Sequence, residues 1–134
     1  MVDLIRFNVA REIVAKDGGG VFDVKDTFCD LVFRAMPTMF SFDILFSLIG
    51  MDCSEENYLK YCLVDSDGMQ IVVVDGIKVA PVPMMERNNE QSLNCVINTK
   101  NVDFVKEGVY HHIIICNDEE VCQIPMVVRK ALTN

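Results

Sequence analysis

The feature that most constrains the fold of this chain is an alternation between two series of side chains from Met39 to Ile49. One series is Phe40, Phe42, Ile44, Phe46 and Leu48, and the other is Met39, Ser41, Asp43, Leu45 and Ser47. Successive side chains of an extended strand point to opposite faces, so a period of two places one series on each face. The segment is therefore predicted to be a β-strand with one face buried and the other largely in water.

Further short apolar runs, about eight in all, are closed by turn residues instead of helix caps. Short strands without alternating helices favour antiparallel β-structure over a βαβ fold. The prediction is a single domain over residues 1–134, mostly β, folded as a two-layer antiparallel β-sandwich of the immunoglobulin-like or C2-like type. At most one or two short helical turns are expected, one of them at Asn101 to Lys106.

Two segments keep a helical alternative. The run from Ile5 to Val14 alternates like a strand, but its i,i+4 apolar pairs, with Asn8 as a cap, also permit a helix. The triplet Ser54-Glu55-Glu56 could start another helix, although the short apolar run after it ends at a tight turn. A strand is the preferred interpretation of both segments.

Turn chemistry predicts where the chain reverses. The segments Asp17-Gly18-Gly19-Gly20, Asp65-Ser66-Asp67-Gly68 and Asn117-Asp118 are rich in residues that tolerate a positive φ, and each separates two apolar runs. Pro37 ends a run, and Pro125 places the last strand at a sheet edge or at a bulge because it has no N–H to donate.

The spacing of Val105, Gly108 and Tyr110 is typical of a tyrosine corner. In that motif the tyrosine ring is buried and its hydroxyl bonds back to nearby backbone. The motif supports the sandwich prediction.

Charge argues against a nucleic-acid partner. Twelve basic and twenty acidic residues give the 134-residue chain a net charge of −8, which leaves little positive surface for phosphate contacts. No apolar stretch approaches the roughly 20 residues that a membrane-spanning helix needs, and the first residues lack the pattern of a secretion signal. We therefore expect a cytoplasmic protein that binds neither membranes nor nucleic acid directly.

The cysteine pattern favours reduced thiols in the core over disulfides. The six cysteines lie far apart, several of them inside apolar runs, and no export signal accompanies them. They are Cys29, Cys53, Cys62, Cys95, Cys116 and Cys122.

Several motifs together resemble a family of small bacterial and phage β-sandwich proteins catalogued as a domain of unknown function. The matching features are an opening strand with a glycine turn (Asn8 to Val21), an apolar run reaching Pro37, the phenylalanine strand, the hairpin from Leu63 to Gly68, and Glu107 to Tyr110 before a closing hairpin. The resemblance implies a β-sandwich fold and a phage or mobile-element setting. It carries over no catalytic residues.

No pattern in the chain predicts a metal, a cofactor or a catalytic centre. His111 and His112 are adjacent and would point to opposite faces of a strand, so packing or surface roles are favoured over metal binding. Asp65 to Gly68 lacks the further acids of a calcium loop. Cys116 is the one candidate nucleophile, but it lies roughly 13 Å along the strand from His112 at about 3.3 Å per residue.

Exposed apolar surface is the remaining signal. Val82, Met84, Met85 and Arg87 lie in an irregular and unusually apolar segment, and they are the predicted partner-binding residues. The runs Tyr110 to Cys116 and Ile71 to Val74 are apolar on both faces, so both faces should be covered, either by a loop of the same chain or by a second copy. A homo-oligomer is preferred.

The preferred function is a non-enzymatic module that binds a protein or a small ligand. A concrete version is a phage-encoded, host-directed inhibitor that binds a host protein or sequesters a signalling nucleotide. Sequestration would require phosphate-binding cations to converge, and the candidates are Arg6, Arg11, Arg34, Lys60, Lys78, Arg87, Lys100 and Lys106. The alternatives are an assembly component of a phage particle and a cysteine-dependent enzyme centred on Cys116.

Overall fold

The chain folds into β-strands throughout the part that the computed structural model describes, which is residues 2–16, 21–81 and 92–132. These residues form eleven strands and no helix. The described part of the chain therefore contains no helix that is long and apolar enough to cross a membrane. The strands are β1 (Asp3–Ala15), β2 (Phe22–Thr27), β3 (Leu31–Phe33), β4 (Thr38–Phe40), β5 (Asp43–Ile49), β6 (Asn57–Val64), β7 (Gln70–Val79), β8 (Ser92–Asn98), β9 (Val102–Phe104), β10 (Gly108–Cys116) and β11 (Glu119–Lys130).

The strands form two larger sheets and one small one. The four-stranded sheet has the order β2-β1-β5-β8, the five-stranded sheet has the order β3-β11-β10-β6-β7, and β4 pairs with β9. All pairs are antiparallel except β3 with β11. β3 joins β11 only at Val128 to Lys130, so no described strand pairs with the outer edge of the earlier half of β11.

Side chains from both larger sheets share one hydrophobic core. Ile44 and Phe46 of β5 lie in it together with Tyr61 of β6, Ile114 of β10 and Met126 of β11. All five are almost completely buried. Burial of a large apolar side chain contributes about 1.5–3 kcal/mol relative to exposure, so this shared core holds the sheets together.

The face of the phenylalanine strand that was predicted to be largely wet is exposed at Met39 and Ser41 but buried further along β5, which corrects part of that expectation. Leu45 and Ser47 lie on this second face and are almost fully buried. Leu45 packs with Ala10 and Ile13 of β1 and with the half-buried Phe22, Val24 and Val96. Residues 11–15 and 22–27, which we call the β1–β2 arm, therefore cover the outer face of the four-stranded sheet at Leu45.

One contact fixes the arm to β5. The backbone N–H of Ile13 donates to the Asp43 carboxylate at 2.9 Å. Asp43 interrupts the apolar pattern in the sequence because it accepts this bond. Within this alternating strand, the half-buried Asp43 therefore binds the covering arm.

The strand count is higher than the predicted eight. The alternation from Met39 to Ile49 is divided between β4 and β5, with a break at Ser41-Phe42. The expected helical turn at Asn101 to Lys106 is wrong, because β9 runs through it and pairs with β4. The predicted strand at Ile5 to Val14 is confirmed as part of β1, and the segment after Ser54 leads into β6 as expected.

Two of the three predicted turn segments lie among the described residues, and both follow the predicted chemistry. Asn117 and Asp118 both have a positive φ, of 51° and 65°, between β10 and β11. At the other turn the Asp65 carboxylate accepts from the N–H groups of Asp67 and Met69, each at 2.9 Å. The turn itself thus uses this carboxylate, which supports the hairpin interpretation over a calcium loop. The predicted glycine turn at 17–20 lies outside the described residues.

The tyrosine corner is present. Tyr110 is buried, and its hydroxyl donates to the backbone oxygen of Lys106 at 2.7 Å. Gly108 has a φ of 138° and faces Ser66, so an added Cβ would lie 2.5 Å from the Ser66 Cβ. The corner therefore requires glycine both for its backbone and for its space.

Replacing Gly108 tests this packing. We expect Gly108→Ala to lower the free energy of unfolding by about 3 kcal/mol, since backbone strain and overpacking each cost about 1–3 kcal/mol. Gly76→Ala is the matched control, because Gly76 also has a positive φ of 69° but an added Cβ meets nothing within 4 Å. The control should lose only about 1 kcal/mol. Equal losses in urea unfolding would contradict the Ser66 contact.

Candidate ligand pocket

A pocket of about 430 Å³ lies where β1 and the segment after β2 face β10 and β11. It lies beside the part of β11 that β3 leaves unpaired, and Pro125 in its wall has no N–H to offer to another strand. The lining residues are Phe7, Asn8, Val9, Thr27, Phe28, Cys29, His112, Ile124 and Pro125.

Local structure holds the walls in place. The backbone N–H of Phe28 donates to the Val9 carbonyl at 3.0 Å, which ties the segment after β2 to β1. The Phe28 ring contacts those of Phe40 and Phe42 edge-on, with centroids 5.7 and 6.3 Å apart. Phe28 is thereby fixed between the core and the pocket.

The most deeply buried polar side chain that lines the pocket is that of His112, which is only 1% exposed. Its Nδ1 lies 2.6 Å from the Tyr61 hydroxyl. Its Nε2 is buried and has no hydrogen-bond partner in the described part of the chain. The ring lies 5.1 Å from the Phe7 ring and 5.9 Å from the Tyr61 ring, centroid to centroid.

Burial determines the charge of this pair. Desolvation, followed by the nearby His111, lowers the pKa of His112 from 6.5 to about 4, so its ring is neutral at pH 7. Desolvation also holds the pKa of the Tyr61 hydroxyl well above 10. Both groups are uncharged in the folded protein at neutral pH.

The hydrogen bond indicates which nitrogen carries the proton. A neutral imidazole has one N–H donor and one acceptor nitrogen. Among the described residues, the Tyr61 hydroxyl has only Nδ1 as a partner, so its proton is used only if it donates to Nδ1. Nε2 then carries the ring proton and is a buried, unsatisfied donor.

The remaining lining is apolar or uncharged. Among the described residues, no Lys, Arg, Asp or Glu lines the pocket. Asn8 accepts a hydrogen bond from the Arg6 guanidinium at 3.1 Å, and Thr27 and Cys29 are exposed. The arrangement suits an uncharged ligand with an apolar body and one hydrogen-bond acceptor.

The residues singled out in the sequence are placed as follows. Val82, Met84, Met85 and Arg87 lie outside the described residues. His111 and His112 point to opposite faces of β10, as predicted, but His112 is a pocket residue that the sequence did not identify. Cys116 is buried on the same face of β10, and desolvation, followed by Glu119, raises its pKa.

All six cysteines are free thiols. Only Cys62 and Cys116 are fully buried, while Cys29 is exposed and the others are half-buried. The expectation of reduced thiols fits this arrangement, but the expectation that they lie in the core is wrong for Cys29.

The candidate phosphate-binding cations are directed elsewhere. Arg6 and Arg11 lie over the rings of Phe22 and Phe40, at 5.5 and 5.6 Å. Lys78 pairs with Glu56 at 3.1 Å, and Lys106 contacts Asp67. These four cations therefore do not converge on one ligand.

Stability should depend on pH through His112. Because its pKa is about 4 in the folded chain against 6.5 unfolded, the unfolded chain binds more protons between these values. Stability is full above pH 6.5 and falls as pH drops towards 4, by about 3 kcal/mol at 1.36 kcal/mol per unit. Urea unfolding at several pH values would measure this loss.

Two variants isolate the histidine. His112→Gln should remove most of this pH dependence, whereas His111→Gln, on the opposite face of β10, should keep most of it. The same pH dependence in wild type and His112→Gln would contradict a buried neutral His112.

Comparison with known proteins identifies the family and supports the fold. No curated protein matches the chain in sequence. A Pseudomonas fluorescens alkylpurine DNA glycosylase, AlkC, solved bound to DNA containing an abasic site analog, is similar in structure, with a TM-score of 0.55 and 10% identity. The alignment covers 96% of this chain but only 30% of that protein, and at this identity it shows a shared fold alone. A family model matches residues 12–129, and the chain therefore belongs to a family of unknown function (DUF6941).

Proposed function

We propose that the chain is a non-enzymatic binding module that takes a small, uncharged ligand in the His112 pocket. The apolar part of the ligand packs against Phe7, Phe28 and Ile124, and one acceptor atom receives the Nε2 proton of His112. The observation that carries the proposal is that His112, whose buried Nε2 has no partner among the described residues, lines a pocket of about 430 Å³.

The energetics favour a ligand with an acceptor. A buried donor without a partner costs about 1–3 kcal/mol, and a ligand oxygen placed against it recovers that cost. The largely apolar lining adds hydrophobic contact without setting orientation. Affinity thus comes from the apolar walls, and selectivity comes from His112.

Binding is a better description of the site than catalysis. A histidine with a pKa of about 4 is a weak base near neutral pH. The raised pKa of Cys116 disfavours the thiolate that a nucleophile needs. These properties suit a neutral hydrogen-bond donor.

The chemistry of the pocket narrows the ligand class. A nucleotide brings phosphates that need cations or several N–H donors, and the lining residues that the structure describes include no cation. We therefore favour a neutral carbonyl-bearing or ether-bearing ligand over the signalling nucleotide considered from the sequence.

The proposal includes a fold type and a setting. We propose that the two larger sheets are the layers of an immunoglobulin-like or C2-like sandwich, supported by their shared core and by the tyrosine corner. The six free thiols support a cytoplasmic location. A phage or mobile-element origin, with a host metabolite as the ligand, is the concrete version of this function.

A pair of probes that differ in one atom group tests the pocket. Acetophenone and α-methylstyrene have nearly the same shape, but only acetophenone carries a carbonyl oxygen. We expect acetophenone to bind about tenfold more tightly, in line with about 1.4 kcal/mol from one satisfied donor. Titration by amide chemical-shift changes in ¹⁵N-labelled protein would measure both affinities and locate the site.

His112→Phe should abolish the preference, while His111→Phe serves as the control on the opposite face and should retain it. Equal binding of both probes to the wild type, or binding away from β1 and β10, would refute the proposed site. The wild-type comparison stands by itself if His112→Phe does not fold.

A further inference from the structure

The outer face of the five-stranded sheet carries an apolar row that is partly exposed. Tyr110, His112 and Ile114 point into the core from β10, so the alternate residues of the strand point outwards. The outward row on β10 consists of Val109, His111, Ile113 and Ile115.

Strand register extends this apolar row sideways. On one side Ile113 lies opposite Cys62 of β6, which in turn lies opposite Val73 of β7. On the other side Val109 lies opposite Val127 of β11. Val73, Val109 and Val127 are 46, 45 and 39% exposed. The sequence predicted that Tyr110 to Cys116 is covered on both faces, and the described residues leave this outer face partly open.

The other large sheet provides a contrast. Its outer face is covered at Leu45 by the β1–β2 arm, which belongs to the same chain. The described residues provide no such arm for the five-stranded sheet. The open face has the apolar composition of a surface that a partner covers.

The size of the face approaches that of a stable contact. Four strands at about 4.8 Å give a width of about 19 Å, since β3 adds only three residues, and nine residues at about 3.3 Å give a length of about 30 Å. The face thus offers about 600 Å² per copy, somewhat less than the roughly 800 Å² that each partner buries in a standard interface.

Charge placement fits a second copy of the chain. Lys60 of β6 and Glu120 of β11 both lie opposite Ile115, on its two sides. Glu120 and Gln123 share this face, since the Gln123 amide donates to the Glu120 carboxylate at 2.7 Å. Among the described residues, Lys60 has no ion pair within its own chain.

We propose that two copies pack through this face about a twofold axis parallel to β10. Such an axis exchanges the two sides of β10, so that β6 of one copy lies over β11 of the other. Lys60 then meets Glu120 of the other copy, twice per dimer, and Val109, Ile113 and Ile115 of β10 lie over their counterparts along the axis. An isologous contact of this kind closes at two subunits.

Sedimentation of the full chain over a range of concentrations tests the assembly. We expect a monomer–dimer equilibrium or a stable dimer. A monomer at every concentration would overturn the proposal, and so would open-ended larger species.

Charge reversal tests the surface and the symmetry. Lys60→Glu and Glu120→Lys should each raise the dimer Kd at least about tenfold, because each places like charges opposite one another twice. The double variant restores opposite charges and should return the Kd to near the wild-type value. Failure of the double variant to recover would refute this arrangement even if the protein is a dimer.

A pair of valine variants separates this face from general surface effects. Val109→Lys should abolish the dimer, while Val14→Lys, at 48% exposure on β1, should leave it intact. Dimers that survive Val109→Lys would contradict the proposal. None of these three experiments depends on the ligand pocket, which lies on the inner side of β10.

Discussion

Burial of β5 on both faces is the constraint on which the rest of the structure depends. Its inner face supplies Ile44, Phe46 and Leu48 to the core shared with the five-stranded sheet. Its outer face supplies Leu45, which is covered only because the β1–β2 arm folds over it. The chain thus completes the outer face of one sheet at this point with its own residues, while the described residues leave the corresponding face of the other sheet partly open.

The same packing creates the chemistry of the proposed binding site. Placing β10 against β1 and β5 buries His112 among the rings of Phe7, Phe42 and Tyr61. Tyr61 satisfies one ring nitrogen, and the other has no partner in the described part of the chain, although the residue lines the pocket between β1 and β11. A buried donor that is left unsatisfied lowers stability, and such a group in a native structure calls for an explanation, which the proposed ligand supplies.

Local features of the fold could be predicted from the sequence, and long-range ones could not. The turn at Asn117-Asp118, the turn at Asp65 and the corner at Tyr110 depend on residues only a few positions apart, and all three were predicted. The Ile13–Asp43 bond that fixes the arm and the Tyr61–His112 bond join residues 30 and 51 positions apart. The alternation of side chains along a strand placed His111 and His112 on opposite faces of β10. It does not say which of these faces is buried or which strands lie next to β10.

The central claim is that His112 presents a neutral Nε2–H to the pocket. A long-range ¹H–¹⁵N correlation spectrum of ¹⁵N-labelled protein at pH 7 distinguishes the two neutral tautomers and the imidazolium. The structure predicts the Nε2–H tautomer, with Nδ1 at the chemical shift of an acceptor nitrogen. A protonated Nδ1, in either the other tautomer or the imidazolium, would contradict the claim.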